Sequence, residues 1–173
     1  MRRAARCEGR RSVLPEVAAQ NPTAVELEKA VPGALVDFKT DVDGPVLYVA
    51  AASIIAVGKH LRDKAGFERL SAVTAVDWWP REPRFEVTYF LHSIEKNTRL
   101  RVIARAKEAD SIESVSRIWR SANWYEREVF DLFGVQFFNH PNLERIMMPA
   151  DWEGYPLRKD YPIHGNKYSY QDE

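Results

Sequence analysis

The chain has 173 residues, with 25 Lys and Arg balancing 25 Asp and Glu, 45% hydrophobic residues and one cysteine, Cys7. That length supports one domain plus appendages around a sizeable core, and the zero formal charge gives no footing to an electrostatic nucleic-acid binder. A single thiol excludes disulfide frameworks and the usual zinc or iron–sulfur centres within this chain alone, and no stretch approaches the roughly 20 apolar residues of a spanning helix.

Residues 1–20 open on MRRAARCEGRRS and read as a flexible tail. The arginines suggest an organellar presequence, but Glu8 and Glu16 are wrong for one, and no secretory apolar core follows. Contact of this cluster with an acidic partner or lipid headgroups is the alternative to a merely solvated tail. Thr23-x-x-Glu26 predicts the capping-box start of a short helix that ends before Pro32-Gly33. Residues 34–39 and 46–50 predict a hairpin turning at 41–45.

Ser53 predicts the cap of a helix carrying Ile54, Ile55, Val57 and Leu61, with Lys59, His60, Arg62 and Lys64 towards its end and Gly66 as the stop. Residues 67–76 predict a strand running into Asp77-Trp78-Trp79-Pro80. Residues 84–94 and 98–106 alternate cleanly and predict a second hairpin. Asp110-Ser111 predicts the start of a helix containing Ile112, Val115, Ile118 and Trp119. A further helix is predicted over 123–133, opened by Asn123-x-x-Glu126 and stopped by Gly134.

Short turns exclude parallel pairing of consecutive strands. The fold class is therefore α+β: two layers, a largely antiparallel or mixed sheet with helices on one face, and a long irregular C-terminal arm. The domain boundaries are a core over 21–134 and an arm over 135–173 that lies across a surface, its own or a neighbour's. In the arm, Pro141, Pro149, Pro156 and Pro162 enforce extended or turn geometry. Phe137, Phe138, Leu143, Ile146, Met147, Met148, Trp152, Tyr155, Leu157 and Tyr161 make it too apolar to dangle.

Glu126 falls on the apolar side of the predicted 123–133 helix. Either Arg127, Arg145 or an arginine of another chain holds it, or it lies at the stripe's edge with its head in water. Glu126, Glu128 and Asp131 together allow two readings. They could serve acid–base or proton-relay chemistry; the favoured alternative is an ion-pair network with Arg127, Arg145, Arg158 and Lys159 that docks the arm.

No G-x-x-x-x-G-K-[ST], G-x-G-x-x-G or G-x-S-x-G motif occurs, so nucleotide and flavin binding are expected elsewhere. Of His60, His92, His140 and His164, only His140 stands at helix-like spacing from a carboxylate, Glu144. Pro141 and Asn142 argue against a helix and hence against a metal site, so His140 is expected to orient the arm through a hydrogen bond. Trp78, Trp79, Trp119, Trp124 and Trp152 are read as packing residues rather than a cofactor box.

The run Glu126-Arg127-Glu128-x-x-Asp131-Leu132-Phe133-Gly134, then His140-Pro141, Arg145-Ile146, and Trp152-Glu153-Gly154-Tyr155-Pro156-Leu157-Arg158-Lys159-Asp160-Tyr161-Pro162, resembles the 30-kDa subunit family of respiratory complex I, whose bacterial members are designated by the letter C. One departure is Glu144, where the family usually carries a basic residue or proline.

The resemblance implies a non-redox subunit of the peripheral arm of an NADH:quinone oxidoreductase. FMN, iron–sulfur clusters, NADH and quinone would belong to other subunits and none to this chain. The implied partners are the 49-kDa-like quinone-site subunit and the iron–sulfur subunits, and the implied place is the cytoplasmic face of the bacterial membrane, peripheral and held there only through partners. The implied interface residues are Glu126, Arg127, Glu128, Asp131, His140, Arg145, Trp152, Arg158, Lys159 and Asp160. Two rivals stand beside this reading: the same subunit in a complex fed by ferredoxin or another donor, and a free-standing acid–base enzyme using the carboxylates.

Overall fold

The computed structural model describes Ala18 and residues 21–162. The rest of the predicted tail and residues 163–173, including His164, lie outside the described residues. The elements in chain order are α1 (Pro22–Ala30), β1 (Leu35–Asp41), β2 (Gly44–Val49), a 3-10 turn (Ala51–Ser53), α2 (Ile54–Asp63), β3 (Arg69–Asp77), β4 (Phe85–Ser93), β5 (Thr98–Ala106), β6 (Ser111–Glu113), α3 (Ala122–Phe133) and β7 (Gln136–Phe138).

The main sheet has the order β1-β2-β5-β4-β3. Both predicted hairpins form, and β3 also pairs antiparallel with β4. One pairing departs from the antiparallel pattern: β2 lies parallel to β5. The chain between them passes through α2 and out to β3 at the far edge before returning, which is the long connection a parallel pair requires. Alternation then sets two faces. Leu47, Val49, Val73, Ala75, Val87, Tyr89, Leu91, Leu100, Val102 and Ala104 enter the core, together with Val57 and Leu61 of α2 and Val129 of α3. Tyr48, Phe90, His92, Arg99 and Arg101 stand on the opposite sheet face.

Four local expectations are corrected. Helix α1 is capped by Asn21, whose side chain accepts from Ala24 N–H with Pro22 in the first turn, and not by Thr23. Ser53 makes no capping bond; it ends the 3-10 turn that leads into α2. The helix expected from Asp110-Ser111 does not form. Ile112 lies instead in β6, which pairs parallel with β7 from beyond α3, a partner no local periodicity can announce. The same four residues, Ile112, Val115, Ile118 and Trp119, are nevertheless all buried. Finally, Asn123 and Glu126 do not form a capping box, because Glu126 turns inward.

Candidate functional site

The end of α3 is where the sequence's fixed points converge. An α-helix leaves its last four carbonyls without internal partners. Here the first is satisfied locally, as Gly134 N–H donates to Phe130 O (2.8 Å), with Gly134 in the left-handed conformation at φ 77°. The other three accept from the arm: Arg145 Nη1 donates to Asp131 O (3.2 Å), Leu157 N–H to Leu132 O (3.0 Å) and Arg158 Nε to Phe133 O (2.6 Å). Two guanidinium groups thus stand at the negative end of the helix dipole. A Cβ at Gly134 would lie 2.5 Å from Arg158 Nη2 and 2.6 Å from the Tyr155 ring, so the arm's approach requires glycine there.

Asp131 is the centre of this clasp. Its side chain is fully buried; Oδ2 accepts from the N–H groups of Ile146 (2.9 Å), Met147 (2.7 Å) and Met148 (2.9 Å), and Oδ1 from Arg145 Nη1 (2.7 Å). Burial alone would raise its pKa, but the three backbone donors and Arg145 outweigh it and hold the carboxyl below the usual carboxylate range. Arg127 closes the same loop by donating to the carbonyls of Glu144 (3.0 Å) and Arg145 (3.5 Å). Because Arg127 reads the backbone at 144, the departure of Glu144 from the family pattern leaves this contact intact.

A second anchor was not singled out from the sequence. Arg84, its side chain 4% exposed, grips Asp77 through Nε (2.9 Å) and Nη2 (2.9 Å), Glu108 through Nη1 (2.9 Å) and Asp160 through Nη2 (2.6 Å). Asp77 also accepts Lys159 N–H (2.9 Å), and Arg158 Nη1 reaches Glu108 (2.6 Å). Burial raises the Asp77 pKa, but Arg84 and the backbone donors bring it down to about 2. The same carboxylates hold Arg84 firmly charged. Asp77 ends β3 and Arg84 precedes β4, so the turn between two strands serves as the arm's second foothold. The only sequence sign was a charged pair bracketing that turn, which reads as ordinary surface.

Glu126 belongs to neither anchor. Its buried carboxylate accepts from Ser114 Oγ (2.6 Å) and Val115 N–H (2.8 Å), so donors hold it, not Arg127, Arg145 or water. The reading of a head in water is overturned. Burial pushes its pKa up to about 7, against the pull of these two bonds. His140 Nε2 lies 3.8 Å from it, too far for a hydrogen bond. His140 instead bonds Asn123 O (3.1 Å) and accepts at Nδ1 from Asn142 N–H (3.1 Å), which fits a neutral ring protonated at Nε2. Burial lowers the His140 pKa, in keeping with that state. Tyr89 Oη is buried with no hydrogen-bond partner among the described residues, and burial, together with the charge of Glu126, raises its pKa. Among the described residues, no group of three or more His, Cys, Asp or Glu is placed to hold a metal ion.

Residues 47–167 match the family described as the respiratory-chain NADH dehydrogenase, 30 Kd subunit. The chain belongs to this family. It is 47% identical to the NADH-quinone oxidoreductase subunit designated C of Citrifermentans bemidjiense over 86% of this chain and 93% of that one. It is 42% identical to the equally designated subunit of Geobacter sulfurreducens over the same shares. Among solved structures, a chain of the membrane-bound sulfane sulfur reductase, an archaeal respiratory membrane complex, superposes with a TM-score of 0.67 at 27% identity, covering 80% of this chain and 83% of that one. No helix of the described residues is long and apolar enough to cross a membrane.

As a member of the 30-kDa family, the chain places its ten sequence-predicted site residues unevenly. Asp131, Arg145 and Arg127 meet at the first anchor, Arg158, Lys159 and Asp160 reach the second, and Glu126 and His140 lie in the buried pocket. Trp152 keeps its indole Nε1 buried with no hydrogen-bond partner among the described residues. Glu128 is exposed and enters neither anchor. Glu128 as a member of an intrachain docking network is thus corrected: Val129 faces the core and its neighbour Glu128 faces solvent.

Proposed function

We propose that the chain is a non-redox assembly subunit of the peripheral arm of an NADH:quinone oxidoreductase, in which the clasped arm clamps the quinone-site subunit. FMN, iron–sulfur clusters, NADH and quinone are carried by the partner subunits, iron–sulfur subunits among them. The chain sits on the cytoplasmic face of the bacterial membrane, held there through partners. The observation that carries this reading is a contradiction in the arm. It is fixed by two polar anchors, yet it turns Phe138, Met147 and Leu157 outward at 63%, 61% and 51% exposure, with Trp124 of α3 at 62%. Fixing an irregular segment so that large apolar groups face water makes sense where a neighbour covers them.

Arg158→Glu reverses a charge between Glu108 and the α3 carbonyls, so it is expected to lower the amount of assembled complex while turnover per assembled complex is kept. Native gels of membranes, with NADH:quinone activity normalised to assembled complex, read the two quantities. Normal assembly with slowed turnover would overturn the assignment. The likeness to a chain of a respiratory complex that is not named for NADH leaves one second reading, the same subunit in a related complex fed by ferredoxin or another donor; co-purification without an NADH-binding module would select it. A free-standing acid–base enzyme would need Glu126 within reach of substrate, and its side chain is fully buried.

A further inference from the structure

The chain's charges balance in total but not in place. Two clefts meet at the start of β3. One, about 740 Å³, lies between that strand and the turn before α3 and is lined by Arg62, Arg69, Arg117 and Arg120, with Glu68. The other, about 580 Å³, opens on the outer sheet face and is lined by Arg69, His92, Arg99 and Arg101 beside Phe90, with Asp43. Six arginines therefore stand against two carboxylates. Arg62 is engaged with the Ile118 carbonyl and Arg101 with Asp41. Arg69, Arg99, Arg117 and Arg120 are exposed, and their side chains make no hydrogen bond or ion pair among the described residues.

The strand register sharpens this. Arg69 is opposite His92, and His92 is opposite Arg99, so basic groups cross three strands in one row. Neither Arg69 nor Arg99 in this row has a carboxylate partner among the described residues. Strand β3 is also the last strand of its sheet, and the turn before α3 lies against its start, where Ser121 Oγ donates to Leu70 O (3.1 Å).

We propose that this arginine band docks an acidic, extended segment of a neighbouring subunit, which rests on the reading of the chain as part of a larger complex. Carboxylates of that segment pair with Arg69, Arg99, Arg117 and Arg120. Ile94, 65% exposed, and Phe90 offer apolar seats in the two clefts. Because the two clefts share Arg69 and Ser71, one extended polypeptide can run through both.

Ser71 lines both clefts and carries no charge, so a photo-cross-linker placed there leaves the band intact. The test is Ser71→p-benzoylphenylalanine in the tagged full chain, irradiated in native membranes, with adducts mapped by mass. The expected result is an adduct on an Asp- and Glu-rich stretch of a co-assembled subunit. Its yield should fall about tenfold or more in R117E/R120E, a change of about 1.4 kcal/mol or more, and recover when the mapped carboxylates are changed to Lys. R117Q/R120Q, checked for unchanged thermal unfolding, guards against misfolding and should lower the yield in the same direction. A phospholipid adduct, an adduct on a neutral or basic stretch, or no adduct while the chain still co-purifies with respiratory subunits would overturn the docking proposal alone. Absence of those subunits from the unsubstituted chain's preparation would overturn the subunit reading and the docking proposal with it.

Discussion

Asp131→Asn tests the clasp with the smallest change of shape. The carboxylate accepts three backbone N–H bonds on Oδ2 and one from Arg145 on Oδ1, all with its side chain fully buried. An amide cannot serve both sides. If its oxygen faces the backbone, its NH₂ confronts the Arg145 guanidinium; if flipped, it confronts three N–H groups. Hydrogen bonds to an ionised group are worth about 1.5–3 kcal/mol each, and breaking a buried charged pair costs about 3–5 kcal/mol.

Taking about 3 kcal/mol for arm docking, the arm's opening equilibrium should rise roughly a hundredfold. Hydrogen exchange by NMR on the isolated chain reads this directly: amides of Ile146, Met147 and Met148 should exchange roughly a hundredfold faster while those of β4 and β5 hold. A pH series adds a sign. The folded Asp131 pKa is depressed, so its stabilisation is present above the unfolded value of 3.8 and is lost as pH falls through the folded value below it; the Asn variant lacks that loss. Unchanged protection at 146–148 in a folded variant would refute Asp131 as the arm's anchor.

Glu126→Gln should change the pH profile of stability. The Glu126 pKa is raised from 4.5 to about 7, so its stabilisation is complete below 4.5 and disappears as pH rises through about 7, a swing of about 3 kcal/mol. With His140 and Tyr89 as the titratable groups facing it, Tm measured from pH 5 to 8 should fall less in the variant; parallel curves would refute the buried acid. Gly134→Ala should cost about 1–2 kcal/mol for the left-handed backbone, and more as the Cβ displaces Arg158 and Tyr155; chemical denaturation with exchange at 155–158 checks both parts. Arg84→Met should cost about 3–5 kcal/mol by leaving Asp77 buried without its cation. Asp77→Asn in the Arg84→Met background should restore part of that loss, as a double-mutant cycle would show.

Much of the architecture was legible because it is written in local patterns. Strict alternation in β4 and β5 announced the central hairpin, and Gly134 announced the end of α3. What was not legible is what depends on distant segments. Residues 111–119 carry helical spacing, yet β7, more than twenty positions later, turns their start into a strand, and Ser114 and Val115 spend their donors on Glu126. The parallel β2–β5 pair likewise arises from a connection through most of the sheet.

At the candidate site, the charges of the arm were visible, but their partners were not. Asp131 bonds mainly to backbone N–H groups, which have no residue signature, and Arg84 looked like one more surface arginine. The carboxylate that looked oddest, Glu126, proved to hold the turn before α3 rather than the arm.

The most direct measurement is an affinity purification of the tagged full chain from its native membrane in mild detergent, with co-purifying subunits identified by mass and NADH:quinone activity assayed on the eluate. Quinone-site and iron–sulfur subunits recovered together with an NADH-binding module and activity are the expected result. A chain recovered alone, soluble and free of respiratory subunits, would contradict it.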